Sequence, residues 1–575
     1  MGRHLHELPD EILHSILRFS SPTSSIALGQ TARKFQRITN EPLLWRFYCQ
    51  SLFTFWDKRH ELPKMLASPV YSVNWKQLYV MRHIMDSSIT QTLNSILSSQ
   101  TGRIEKFEVI INFGYDAKDT LIRHSLAINE DDCLARSNAI LGCLHRNIAL
   151  LEWFKLRNGG PVPLERALGV FDLFIPESGI SDLDDITLML NKIVLQLQAE
   201  HPAIECLTPR EKALVIASNL RANHLTGMAS GRDYLNLEHS FLGMALNGPS
   251  HNSLPLISAA IYCYVAQKFG LNARPCCFPL HVHVIITPEP GTDLDGNILI
   301  GDSKSDPMYV DPFRSSNETA VSDLQSQLNF LGASVFEHSN FLGESLTSEV
   351  VLRCAKNILN STQDTTRSSQ QLMSPNAVGA KYAALWSIIL FASSRPTELR
   401  QYLPWLTELF ATDFPFDVFL IERHALPLFW GLVDYEHLLE TLRVMRTVDK
   451  IPKQVKVRTS RQKNIRYRVG QVFRHRRYNY RAIITGWDAE CSAGEQWMMR
   501  MGIDRLQAGR HQSFYHTLVE DRSVRYVAEE NIEIVTPRIS DLPPTLSVVA
   551  GKHFRKWDEK TRTFVSNIRD EYPDD

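Results

Sequence analysis

Apolar residues recur at helical spacing from the start of the chain, at Ile12, Leu13, Ile16 and Leu17. Pro9 suits the first position of a helix, where its missing N–H would be unpaired anyway. Asp10 and Glu11 set negative charge on the positive end of the helix dipole. The breaker-rich stretch Ser20-Ser21-Pro22-Thr23-Ser24-Ser25 ends this helix, and the pattern predicts a second over residues 26–38. Leu43-Leu44-Trp45 then closes a short helical segment. About fifty residues in two or three helices bury little core alone, so the apolar stripe needs a neighbour.

The helical pattern continues through residues 56–230, strongest at 75–79, 137–156 and 164–174. The carboxylates of Ser181-Asp182-Leu183-Asp184-Asp185 precede the apolar series Ile186, Leu188, Leu190 and Ile193, which suits caps and dipole partners better than catalysis. A turn at Asn247-Gly248-Pro249 leads into a helix ending at Gly270. Residues 273–278 read as strand, 279–286 alternate, and Tyr309-Val310-Asp311-Pro312-Phe313 follows a glycine-containing hairpin. The polar residues 361–371 read as a linker, and 377–447 return to helix without a strict repeat. From Tyr467 the period becomes two: 467–475, 480–488, 513–519 and 524–527 predict short strands, about five in all, of a small barrel.

Composition narrows the class. At 575 residues and 65.7 kDa, the chain is long enough for about three or four domains. No apolar run is long enough to span a bilayer, and Arg3, His4, His6 and Glu7 leave no room for a secretory h-region, so the cytoplasm or nucleus is expected. Nine cysteines, an odd number, argue for reduced thiols rather than a disulfide framework. Cys276-Cys277 lacks the spacer of a zinc site, and neither metal nor cofactor is expected. The net charge of −1 conceals a basic run, since residues 453–481 hold eleven Lys or Arg and no acid.

The order Leu8-Pro9-x-Glu11-Ile12-Leu13, a Ser/Thr turn, Arg33-Lys34-Phe35 and Leu44-Trp45 resembles the F-box. That resemblance implies docking on the Skp adaptor of a cullin-RING ubiquitin ligase, with Leu8, Pro9, Ile12, Leu13 and Trp45 as the adaptor contact or its support. The alternative for these residues is a helical hairpin packed on its own domain.

The helix-strand-strand order after Asn247, with Leu164 to Leu168 and Phe171-Asp172 upstream, resembles the SirB-type branch of the transglutaminase-like fold. The resemblance places His281 at the base position and Asp311 at the orienting position of a Cys-His-Asp triad. The helix start, Ser253-Leu254-Pro255-Leu256-Ile257-Ser258-Ala259, contains no cysteine, and Cys263 lies at least a turn further along. His281 and Asp311 are therefore expected to form a vestigial cleft. A serine at 253 or 258 would need a better-placed base than a thiol does.

Val469-Gly470-Gln471-Val472, Arg474-His475-Arg476, Trp487-Asp488, Phe514-Tyr515-His516 and residues 526–531 resemble the hemimethylated-DNA-binding-like family of the heat-shock protein Q type, down to Tyr572-Pro573-Asp574. A binding surface is expected at Arg474, Arg476, Arg477, Tyr480 and Trp487. Basic and aromatic residues suit nucleic acid or a protein interface. Glu520-Asp521 and Glu529-Glu530 interrupt a continuous basic face and favour protein over DNA. His475 and His516 are expected to be hydrogen-bond partners.

The fold expectation is thus a multidomain α+β protein: a helical F-box at 1–50, a helical region at 51–160, a transglutaminase-like helix-strand core at 161–360, a helical extension at 376–450 and a small β-barrel at 463–575. This order resembles F-box-only proteins that serve as substrate receptors of Skp-cullin-F-box ligases. The resemblance implies a non-catalytic subunit whose partners are the adaptor, the cullin-RING ligase and a protein target. The rivals are an acyl-transfer enzyme or amidase carrying an F-box, and a DNA-binding protein.

Overall fold

A computed structural model describes residues 5–126, 131–175, 178–228, 233–276, 278–299, 305–368, 375–392, 396–458, 465–520, 523–543, 546 and 550–575. The chain divides into two compact units, one of Met1–Leu144 with Leu442–Asp575 and one of His145–Thr441. It is a multidomain α+β protein. Among the described residues no helix is long and apolar enough to cross a membrane.

The first unit opens with α1 (Asp10–Arg18), α2 (Pro22–Gly29), α3 (Arg33–Thr39) and α4 (Pro42–Leu52). Two helices replace the single one expected over 26–38. Ser21 accepts the Ser24 N–H at 3.0 Å and Pro22 takes the first turn, so the supposed breaker segment starts a helix. Leu13, Leu17, Phe35, Ile38, Leu44, Trp45 and Tyr48 bury together with Trp75, Leu78 and Tyr79 of the helix Trp75–Ser98. Trp45 Nε1 donates to the Thr39 carbonyl at 2.7 Å, and Tyr48 Oη to that of Leu17 at 2.6 Å. One side of the helical segment therefore finds its neighbour within the same unit. Behind it lies a buried cation, Arg82, which donates to the Asp116 carbonyl at 2.8 Å and the Asp119 carboxylate at 3.2 Å.

In the second unit, β1 (Asn272–Pro275), β2 (Val284–Thr287), β3 (Met308–Val310) and β4 (Glu318–Thr319) form an antiparallel sheet in sequential order. The sheet packs on the buried helix Pro255–Lys268. The expected strands are shorter than the alternation suggests, because 279–281 form a bend in which Leu280 takes φ +64°. The acidic stretch at 181–185 is a cap: Asp182 and Asp185 form a capping box on the helix Leu183–Glu200. The linker expected at 361–371 is corrected. The helix Thr347–Ser368 runs through it, its buried inner positions (Val351, Ala355, Ile358) holding it on the unit, and 369–371 lie outside the described residues. Cys277 also lies outside them.

The C-terminal part of the first unit holds β5 (Val472–His475), β6 (Arg481–Asp488), β7 (Phe514–Val519), β8 (Val524–Ala528) and β9 (Ile532–Ile534), in the order β8-β7-β6-β5-β9. A hairpin of β10 (Phe554–Asp558) and β11 (Thr563–Ser566) follows. The edge strands β8 and β9 are joined by Glu529–Asn531 alone. Four Cα steps reach about 14 Å at most, whereas the edges of a flat five-stranded sheet stand about 19 Å apart. The sheet must curl toward closure, and its concave face wraps Phe473, Ile484, Tyr515 and Ile532. Gly470, at φ +92°, lets the chain pass where a Cβ would stand 1.9 Å from the Phe564 carbonyl oxygen.

Candidate functional site

The two sides of α1 differ. Leu13 and Leu17 point into the core, while Ile12 is 49% exposed, Ile16 40% and Phe19, just beyond the helix end, 94%. The positions 12, 16 and 19 share a face by the i, i+4, i+7 rule. Ile26 on α2 and Leu43 on α4 are further exposed apolar residues of the segment. Of the residues singled out from sequence, Ile12 and Pro9 lie at the surface and Leu8 is half-buried. Leu13 and Trp45 are core residues that hold the face in place. The single stripe expected of Ile12, Leu13, Ile16 and Leu17 is split by the structure, since a helix of nine residues packs only one arc of about 100° on its neighbours. Phe19 was missed, although its spacing from Ile12 carries the signal. Lys34 Nζ donates to the His6 and Leu8 carbonyls at 2.9 and 2.7 Å, and Arg37 pairs with Asp10, so α3 fixes the entry to α1.

In the second unit His281 and Asp311 do come together, with Nε2 2.9 Å from a carboxylate oxygen, but outside the alignment of a hydrogen bond. The other carboxylate oxygen accepts the Phe313 and Arg314 N–H groups at 3.1 and 3.2 Å. Burial would raise the Asp311 carboxyl, yet the adjacent His281 imidazole brings it below the ordinary range. A third residue joins them: His283, its ring centroid 5.0 Å from that of His281. Burial lowers its imidazole to about 4, so it is neutral at physiological pH. His283 was missed, although its i, i+2 spacing from His281 on an extended segment is readable in the sequence.

His281 also lines a cleft of about 240 Å³, with Leu254, Pro255, Arg353, Asn357 and Ser361 around it. The helix start beside it offers no activated nucleophile. Ser253 and Ser258 are fully buried, with their hydroxyl oxygens 2.6 Å apart, and Ser258 Oγ also accepts the Gly227 N–H at 3.1 Å. Cys263 is fully buried on the same helix, and burial pushes its thiol far above the ordinary range, away from thiolate chemistry.

On the barrel, Arg474, Arg476 and Arg477 are exposed and Tyr480 is half-buried under the Arg525 guanidinium, 4.3 Å from its ring centroid. Trp487 is corrected from surface to core: it is 2% exposed, and its Nε1 donates to Asp575 at 2.8 Å. It sits on an inward position of β6, where alternation sends its bulk into the barrel. Three of the eleven cations of the basic run are paired from within. Arg474 pairs with Glu533 at 2.9 Å, Lys456 with Asp488 at 2.8 Å and Arg458 with Asp575 at 2.7 Å. His475 Nδ1 accepts the Arg477 and Tyr478 N–H groups, and His516 lies 3.2 Å from Asp488, so both serve as hydrogen-bond partners.

Three family models match this chain: F-box-like over 5–51, transglutaminase-like superfamily over 184–356, and hemimethylated DNA-binding protein YccV like over 465–561. All three domains are present. They stand in the order read from the residues. F-box only protein 21 of Mus musculus is 25% identical over 624 residues, covering 99% of this chain and 92% of that protein. F-box only protein 21 of Pongo abelii and of Homo sapiens are 24% and 23% identical, each covering 72% of this chain. Those two alignments span 65% and 66% of the relatives' own lengths, just under two thirds. No solved structure is significantly similar.

Proposed function

We propose that this chain is the substrate-recognition subunit of a Skp-cullin-F-box ubiquitin ligase, acting in the cytoplasm or nucleus. The observation that carries the reading is the exposed apolar face of α1, Ile12, Ile16 and Phe19, on a helix whose other side is fully packed. Such a face is costly in water and suits the burial that an adaptor provides. The chemistry of ubiquitin transfer then belongs to partner subunits, and this chain contributes proximity by holding a target near the charged carrier.

A non-catalytic role is supported by the helix start of the second unit. Residues 252–258 contain no cysteine, and both serines there are engaged with each other. The acyl-transfer alternative would need one of these hydroxyls released and turned toward His281. The DNA-binding alternative is disfavoured by the carboxylates that already pair with Lys456, Arg458 and Arg474. The target is a protein held by the second unit or the barrel.

The test is co-purification with a Skp adaptor. The full chain should bring the adaptor down, and the double change Pro9→Ala with Ile12→Ala should abolish this. Persistence of the adaptor on the double variant, or its absence from the parent chain, would end the ligase reading.

A further inference from the structure

His281, His283 and Asp311 each offer one ligand atom, and these three atoms lie within 4.8 Å of one another in a buried setting. Strand geometry brings them there. The pair Val284–Val310 closes the β2–β3 register, and one step further along the antiparallel ladder sets His283 opposite Asp311. His281 follows from the bend at 279–281, which sets its ring centroid 5.0 Å from that of His283.

One feature separates this cluster from an ordinary buried dyad, in which His281 Nε2 and an Asp311 oxygen lie 2.9 Å apart. His283 is 4% exposed, and its Nδ1 is buried with no hydrogen-bond partner among the described residues. A buried imidazole nitrogen without a partner costs free energy unless something fills the place.

We propose that His281, His283 and Asp311 form a zinc site, with the metal's fourth position open toward the cleft that His281 lines. Two imidazoles and one carboxylate are a common protein donor set for zinc, and three protein ligands leave a position for water or a ligand. In a tetrahedral site, zinc bonds of about 2.1 Å set two ligand atoms about 3.4 Å apart. Closing the set thus takes side-chain adjustments of up to about 1.4 Å. The Asp311 carboxylate is held from behind by the Phe313 and Arg314 N–H groups, which orient the ligating oxygen in the manner of outer-shell partners. The site is independent of adaptor docking, which lies in the other unit.

The experiment uses the full chain stripped of metal by a chelator, titrated with Zn²⁺ and, in parallel, with Co²⁺ as a spectroscopic stand-in. One equivalent of zinc should bind. His283→Gln and Asp311→Asn should each weaken it at least tenfold, the second keeping an oxygen for the Phe313 and Arg314 N–H groups. Ile12→Ala, in the other unit, should leave it unchanged. The Co²⁺ complex of the parent chain should show ligand-field bands without thiolate charge transfer. Near-UV circular dichroism checks that each variant is folded, and the parent-chain Co²⁺ spectrum remains decisive should a variant fail to fold. Failure to bind a stoichiometric equivalent, unchanged affinity in both folded variants, or a thiolate band marking cysteine ligation would each overturn the proposal.

Discussion

Ile12 and Leu13 are neighbours in sequence and point about 100° apart around α1, Leu13 being 1% exposed and Ile12 49%. One residue holds the helical segment together and the next presents it. Substitutions at the two should therefore separate stability from docking. Leu13→Ala should cost about 2–5 kcal/mol of unfolding free energy, as buried leucines do, and lower the thermal midpoint. Ile12→Ala should leave the midpoint within about 1 °C and weaken adaptor binding, because a surface substitution changes stability by less than about 0.5 kcal/mol. Differential scanning calorimetry beside a binding titration checks both.

Arg82 is buried between Asp116 and Asp119, with its guanidinium carbon 4.6 Å from the Phe53 ring centroid. Removing it leaves the buried Asp116 with only His60 and the more distant Arg59 as charged neighbours, and the half-buried Asp119 with the Thr54 and Phe55 N–H groups. Arg82→Ala should cost about 3–5 kcal/mol, whereas removing all three charges together, as Arg82→Met with Asp116→Asn and Asp119→Asn, should cost much less. Chemical denaturation of the three chains reads the difference.

Asp488 gathers four donors in the barrel: Lys456 at 2.8 Å, Tyr526 and Ser492 at 2.7 Å, and His516 at 3.2 Å. Burial alone would raise its carboxyl, but these bonds together hold it far below the ordinary range. A depressed folded pKa contributes stability that is fully present above the unfolded value of about 3.9 and lost progressively as pH falls from there through the folded value. Asp488→Asn should therefore destabilise the protein at pH 7. The gap to the parent chain should begin to narrow below about pH 5 and keep narrowing below about pH 3, measured by denaturation at a series of pH values.

Gly470 marks a tight passage against β11, its carbonyl accepting the Phe564 N–H at 2.9 Å. Gly470→Ala should cost at least about 2 kcal/mol, from backbone strain and overpacking combined. Hydrogen exchange should show the loss first in the strands β5 and β11.

Local signals in the sequence were strong where one principle dominated. Caps fixed the acidic stretch at 181–185, and alternation located β5 to β8 to within a few residues. The resemblance to the transglutaminase-like fold puts His281 and Asp311 in one site, and the β2–β3 ladder is the physical reason they meet. Other features depended on packing. The polar residues 361–368 are helical because the same helix is anchored upstream by buried Val351, Ala355 and Ile358. Trp487 looked like a surface aromatic until the curl of the sheet turned it inward. Phe19 and His283 were within reach of spacing rules but lay just outside the motifs that drew attention.

The most direct test of the account is the affinity of the intact chain for a purified Skp adaptor, measured by calorimetry for the parent and for the double variant Ile12→Asp with Phe19→Asp. The expected result is saturable binding by the parent and a loss of at least a hundredfold in the variant, with both chains unfolding at the same temperature. Equal affinity of the two folded chains, or no binding by the parent, would contradict it.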